Sequence, residues 1–487
     1  MKLLEPLDIN GMVIPNRVLV PAMVTRLSGE DGYVNTDIID RYVRYATGGV
    51  GLIVVEAMAV HGAKSGPLLR LSDDSFIPGH REMTTHVHAA SDSKIVPQII
   101  HFMKVARSGW RQTIDMLSVA EIERIIDEFG AAAARAREAG YDGVELHSAH
   151  AYTLSSFISR LNPRRDEYNG RTLEGRLRMF GKVMASVRAR VGHDFPVGVR
   201  FLSDECIKDG YTVEEAKLIA LRYAQLGVNY ISLSIGGKFE DAVHKEGEPL
   251  YPYTGYSGDR CMPGDWYPDL TNADNVARIK AFLVANGQDV PVVCAGKISD
   301  PDDGERILAE GKADIIGMAR QLLADPDWPN KLRAGRRDDV VRCIWCNVCK
   351  QLDENFKEVH CFLWPKGARQ APAGDDAAEA PRWGADGGGL KVEMDKDGSA
   401  RLSWSRATGA VAGYDIYRSD GGGKVRIVDG VKGARFIDRT VIAGLSYAYY
   451  VRAFDAAGRA SPPSAAARLA LPLPEFNAPA QEEVVHG

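Results

Sequence analysis

The sequence predicts an α/β chain: a (β/α)8 TIM barrel, then a short cysteine-bearing extension, then a C-terminal β-sandwich. Three observations predict it. Eight short apolar runs alternate with helical patterns between residues 17 and 317. Four cysteines then crowd into residues 343–361. Beyond them the composition turns to Ala, Pro and Asp, and alternating apolar–polar segments take over.

The eight runs are RVLVP (17–21), VGLIVVE (50–56), IVPQIIH (95–101), DGVEL (142–146), PVGVRF (196–201), NYISL (229–233), PVVCA (291–295) and ADIIG (313–317). Strands buried on both faces need such near-continuous apolar runs. The helices between them carry start and stop signals. SVAEIERIIDEFGAAAARAREAG opens with Ser118 and Glu121 in capping-box spacing and stops at Gly140. TVEEAKLIALRYAQLG repeats that grammar. A doubly wound sheet is the rival, disfavoured by the count of eight and by the absence of a Gly-rich turn after the first run. The expected divisions are a barrel at 1–340, a cysteine segment at 341–372, a linker at 373–388, a sandwich at 389–472 and a disordered tail at 473–487.

The totals exclude several classes. A chain of 487 residues with 45% hydrophobic content builds more than one core. A net charge of -5 gives no reason to expect nucleic acid or a membrane surface as partner. The opening MKLLEPLDING has no leader pattern, and no apolar run reaches spanning length, so a cytoplasmic location is expected. Seven cysteines in such a chain suggest a reducing compartment. Cys343, Cys346, Cys349 and Cys361 then read as metal ligands, for zinc or for an iron–sulfur cluster, with the tight triple closer to a cluster. Cys206, Cys261 and Cys294 are expected to be structural.

In such a barrel, chemistry collects at the carboxyl ends of the strands. The residues there are PAMVT (21–25), Glu56-Ala57-Met58, Gln98 with His101, HSAHAY (147–152), Arg200, Ala295-Gly296-Lys297, and GMAR ending at Arg320. Gly296 and Ala319 let backbone approach an anion, and Arg320 adds a fixed double donor, as for a phosphate after strands seven and eight. Arg200 offers a permanent cation, and Gln98 a donor and an acceptor for an amide-like ring. Together they point to flavin mononucleotide. His147 and His150 can converge on one carbonyl oxygen, with Tyr152 as proton donor.

PNRVLVPAM, QIIH, YDGVELHSAHAYTLSSFISRLNPRRDEYNGR, VGVRF and ADIIGMARQLLADPDWP make residues 1 to about 335 resemble the old yellow enzyme family. CIWCNVC with Cys361 resembles its iron–sulfur branch, that of bacterial 2,4-dienoyl-CoA reductase and trimethylamine dehydrogenase. The resemblance implies FMN and one [4Fe–4S] cluster on Cys343, Cys346, Cys349 and Cys361. It implies that Pro21, Ala22, Met23 and Thr25 lie against the flavin, with Ala57 and Lys297 also beside it. Gln98 and Arg200 would bond its pyrimidine edge, and Gly296, Ala319 and Arg320 its phosphate. His147 and His150 would hold the substrate oxygen and Tyr152 would protonate. The implied activity is reduction of a C=C bond conjugated to a carbonyl or thioester. Amine oxidation and an electron-transfer or scaffold role are the rivals.

Two departures qualify this. No G-x-G-x-x-G follows a strand after residue 365, so electrons are expected from a ferredoxin, an electron-transfer flavoprotein or a reductase subunit, or directly from NAD(P)H. The connection after strand six, 235–270, is long and carries Tyr251, Tyr253, Tyr256, Trp266, Tyr267 and an unassigned His244. Farther on, ARLSWS, YDIYRS and SYAYYVRAF alternate, placing Tyr447, Tyr449, Val451 and Ala453 on one face. With Trp404 as core residue and Tyr447 as corner tyrosine, this part resembles a fibronectin type III domain. A homo-oligomer is expected.

Overall fold

Asn10 and Gly11 both take positive φ, 53° and 85°, and turn strand β1 (Leu7–Ile9) back on β2 (Met12–Ile14). An Asn-Gly pair suits this turn because its twist matches that of the strands. The sequence reading passed over this hairpin, whose strands are only three residues each. The structure is a computed structural model and describes residues 1–63, 66–104, 112–237, 258–265, 267–365, 367–373, 381–420, 424–456 and 460–473. Tyr251, Tyr253, Tyr256, Trp266 and His244 lie outside the described residues.

The barrel follows as expected. Its parallel strands are β3 (Val18–Val20), β4 (Leu52–Ala59), β5 (Lys94–Ile100), β6 (Val144–Ser148), β7 (Val197–Leu202), β8 (Tyr230–Ser234), β9 (Val292–Ala295) and β10 (Ile315–Gly317). They close in the order β10-β3-β4-β5-β6-β7-β8-β9. Alternate residues face inward and outward. One set packs with the helices in a large core that includes Val18, Ile53 and Val199. The other set, including Leu19, Leu52, Val54 and Tyr230, packs with Ile9, Met12 and Ile14 of the hairpin. The hairpin thus seals the barrel beside the strand starts.

Several boundaries move. β4 runs on to Ala59, so Glu56 sits within a strand rather than at its end. The β4–β5 register slips between Val55 and Ala57, leaving Glu56 in a bulge. A bulge re-aims neighbouring side chains. The helix Val119–Glu138 starts at the expected capping box, with Ser118 and Glu121 bonded reciprocally. Among the described residues, no helix is long and apolar enough to cross a membrane.

Contacts divide the chain into two compact units, Met1–Gly374 and Asp375–Gly487, so the cysteine segment folds with the barrel. The second unit holds β11 (Lys391–Met394), β12 (Ala400–Ser403), β13 (Gly413–Ser419), β14 (Lys424–Val431), β15 (Arg435–Asp438), β16 (Ser446–Phe454) and β17 (Ala467–Ala470). These form antiparallel sheets β11-β12-β15 and β14-β13-β16-β17. Both sheets feed one core through Leu402, Trp404, Ile416, Tyr449 and Val451. The Tyr447 hydroxyl accepts the Ile442 N–H at 2.9 Å, fixing the corner ahead of β16.

Candidate flavin cavity and cysteine site

The strand ends open into one cavity. After β3 it is walled by Pro21, Ala22, Met23 and Val24; β4 gives Ala57, β5 Gln98 and β7 Arg200. His147, His150 and Tyr152 enter after β6. Gly296, Lys297, Ala319 and Arg320 close the side after β9 and β10. Of the fourteen non-cysteine residues expected at the site, the structure gathers thirteen around this space.

Thr25 is the exception: it does not line the cavity and is bonded to Glu56. Its N–H donates to Glu56 Oε2 at 2.8 Å and its hydroxyl to Oε1 at 2.6 Å. Glu56 is fully buried, and burial pushes its carboxyl up to about 7 against those two bonds. A buried carboxylate needs donors. Thr25 supplies them, which ties the loop that carries Met23 and Val24 to β4. His101, also a strand-end residue, does not line the cavity; its Nδ1 lies 2.7 Å from Thr153 Oγ1 and its ring packs on His61.

The remaining groups form a graded set of donors. Gln98 Nε2 donates to the buried Glu145 at 2.6 Å, which fixes how its amide faces. Arg200 Nη1 donates to Ala22 O at 3.2 Å, while its buried Nε has no hydrogen-bond partner among the described residues. A buried guanidinium nitrogen left unpaired is costly unless a ligand takes it. His147 Nδ1 accepts the Ala149 N–H at 3.2 Å, so a neutral ring carries its proton on Nε2. Burial, helped by Arg200, brings the His147 pKa down to about 3. The same causes, with His147 added, hold His150 well below its ordinary value. Both rings therefore favour the neutral form. His150 Nε2 lies 2.8 Å from Ser234 Oγ. Its ring meets His147 at 5.1 Å between centroids, and the Tyr152 ring meets His147 at 5.0 Å.

Backbone strain aims this corner. His150 and Ala151 both take the left-handed conformation, at φ 55° and 61°. Gly237 passes so close that a Cβ there would sit 2.8 Å from the His150 Cα. Gly296, at φ 133°, leaves no room either: a Cβ would lie 2.9 Å from Thr271 Oγ1. Lys297 Nζ donates to Tyr267 O and lies 3.3 Å from the Asp269 carboxylate. Arg320 Nη1 donates to Pro263 O at 2.8 Å and to Asn347 Oδ1 at 2.6 Å. Cys261, expected as structural, lines the cavity, as do Met262, Gln321, Trp345 and Asp353, which the sequence reading did not assign.

Behind Arg320 lies a second, smaller cavity. Cys343, Cys346, Cys349 and Cys361 all line it, with Leu323, Ile344, Phe362 and Leu363. The Trp345 N–H donates to Cys343 Sγ and the Leu363 N–H to Cys361 Sγ, each at 3.4 Å. Burial and neighbouring cysteines push the Cys349 thiol up to about 12, and Cys361 up as well. No disulfide joins cysteines among the described residues. Among those residues, too, no group of three or more His, Cys, Asp or Glu side chains is arranged to hold a metal ion. The four cysteines share this one cavity. Cys294 stays in the core within β9, as expected.

A barrel whose strand ends present an orphaned guanidinium, a glycine cradle and neutral imidazoles is built like a flavin oxidoreductase. The profile of the NADH:flavin oxidoreductase / NADH oxidase family matches residues 2–244 and 268–339, and the chain belongs to that family. It is 35% identical over 363 residues to an NADH oxidase of Thermoanaerobacter brockii, covering 70% of this chain and 52% of the relative. It is 30% identical over 410 residues to a cinnamate reductase of Clostridium sporogenes, covering 77% of this chain and 59% of the relative. The chain therefore spans little more than half the length of these curated relatives. A solved 2-naphthoyl-CoA reductase complexed with 2-naphthoyl-CoA shares the fold, with TM-score 0.63 and 23% identity, covering 74% of this chain and 56% of that one.

Proposed function

We propose that this chain is an FMN-dependent reductase of a C=C bond conjugated to a carbonyl or thioester, served by a [4Fe–4S] cluster. The observation that carries this reading is the pair of imidazoles, His147 and His150, held neutral at the cavity wall beside Tyr152. Neutral N–H donors at a substrate oxygen stabilise the charge that develops there as the β-carbon is reduced. Tyr152 then delivers a proton to the α-carbon. Arg200, a permanent cation facing the same space, opposes a cationic amine as substrate.

The cavity fits FMN: Arg200 Nε awaits an acceptor, Gln98 presents an amide, and the Gly296 backbone admits an anion flanked by Arg320. Four cysteines around one mostly apolar space, with N–H groups on two sulfurs, fit a cluster. When bound, FMN supplies hydride and the cluster single electrons. A protein donor of the ferredoxin, electron-transfer flavoprotein or reductase kind is our reading of the source, with NAD(P)H as the direct alternative. The second unit we read as a fibronectin type III-like contact module, on its three-plus-four strand sheets and its Tyr447 corner.

The test is a single-turnover experiment on protein purified without oxygen. The reduced flavin is mixed with enones, cinnamate-type enoates and enoyl thioesters, and the oxidised flavin with tertiary amines. Rapid reoxidation by a conjugated carbonyl is expected. Bleaching by amines, with no reoxidation by any unsaturated compound, would overturn the proposal. Four irons per flavin are expected alongside; zinc without iron would remove the cluster.

A further inference from the structure

We infer that Trp345 is a positioning residue that makes retention of the flavin depend on the integrity of the four-cysteine loop. The inference rests on the FMN and cluster reading above.

The segment Cys343-Ile344-Trp345-Cys346 runs between the two cavities. Cys343, Ile344 and Cys346 face the smaller one, and Trp345 faces the flavin cavity. The Trp345 ring has the Arg320 guanidinium 4.8 Å from its centre and Lys297 Nζ 5.7 Å away. These are two of the cations at the anion-binding side of the cavity. An aromatic face so placed fixes the direction of a guanidinium and screens it from water. Arg320 itself lines both cavities.

What holds Trp345 there is the loop. Its φ is 55°, and that of Asn347 is 56°. Bulky residues enter this region only when their surroundings over-determine it. The surroundings here are sulfur and amide contacts. The Trp345 N–H rests on Cys343 Sγ. Gln321 Oε1 accepts the Cys343 N–H at 2.8 Å, and Asn347 Nδ2 donates to Met262 O at 2.8 Å. Ligation of the four sulfurs would lock the same turn, and losing it would leave two left-handed residues free to relax. Trp345 would then leave the cavity wall, and Arg320 would lose both its aromatic face and Asn347.

The experiment measures FMN dissociation, by recovery of flavin fluorescence on dilution, and iron content for the full chain. Wild type, Trp345→Ala and Trp345→Phe are compared, each before and after oxidative stripping of the cluster with a chelator. Trp345→Ala should weaken FMN about tenfold or more while keeping its iron, and Trp345→Phe should restore most of the affinity. Stripping should weaken FMN in wild type by a similar factor and add little in Trp345→Ala. Unchanged FMN affinity in Trp345→Ala would overturn the inference, as would equal weakening by stripping in wild type and Trp345→Ala. A wild type that binds FMN but carries no iron would instead sink the cluster reading, and the coupling with it.

Discussion

The two mouths of the barrel are built on opposite rules. At the amino end, Ile9, Met12 and Ile14 fill the opening with side chains at most 4% exposed, packed on the inner residues of the strands. At the carboxyl end, Gln98, His147, His150 and Arg320 are also nearly closed to solvent, yet they are polar and face a space. The first mouth is a packed core and contributes stability by burial. The second keeps polar groups aimed and part of their bonding unspent. The difference teaches which residues can be changed for stability without touching chemistry, and which cannot.

That contrast can be broken most sharply at Tyr152. Tyr152→Phe removes one hydroxyl from the cavity wall and should lower turnover about 10²- to 10⁴-fold, with an unchanged melting temperature. Stopped-flow reoxidation beside a melting curve checks both halves. At the other mouth, Ile14→Ala should cost about 2–5 kcal/mol of stability and leave FMN affinity unaltered, by denaturant titration and flavin fluorescence. A loss of flavin with that variant would show that the plug also shapes the site.

Two smaller effects sharpen the comparison. Gly296→Ala must move Thr271 or the backbone, so FMN should bind about tenfold more weakly while the fold persists. Glu56 gives a pH signature. Its carboxyl is raised on folding, from 4.5 to about 7. The folded state therefore favours the proton, and that contribution is lost as pH climbs from 4.5 through 7. Glu56→Gln should flatten the fall in stability across that window, read as melting temperature against pH. An identical slope in both proteins would remove Glu56 as its source.

Much of the barrel was legible because parallel strands buried on both faces write themselves as apolar runs. All eight were found, with ends displaced by up to three residues, as at Ala59. The hairpin escaped because three-residue strands carry no periodicity, although Asn10-Gly11 was a usable signal. Strand-end logic found Ala57, Gln98, His147, Arg200 and Gly296, all of which line the cavity because local geometry places them at the strand ends. It could not foresee the Thr25–Glu56 pair, because the bulge at Glu56 has no one-dimensional trace. Cys261 and Met262 reach the cavity from the long connection after β8, and Trp345 and Asp353 from chain beyond the last barrel strand, a return that nothing local in the sequence announces. Trp345 came nearest to being readable, since it stands between two expected ligands.

The consecutive left-handed residues His150 and Ala151 carry one more consequence. A glycine at position 151 would take that conformation freely, whereas alanine holds it at a cost of about 1 kcal/mol. The barrel is thus spring-loaded at the point where its imidazole is aimed. Relaxing that spring with Ala151→Gly would give a sturdier protein with a poorer grip on its substrate oxygen. In this corner, robustness and reactivity draw on the same two dihedral angles.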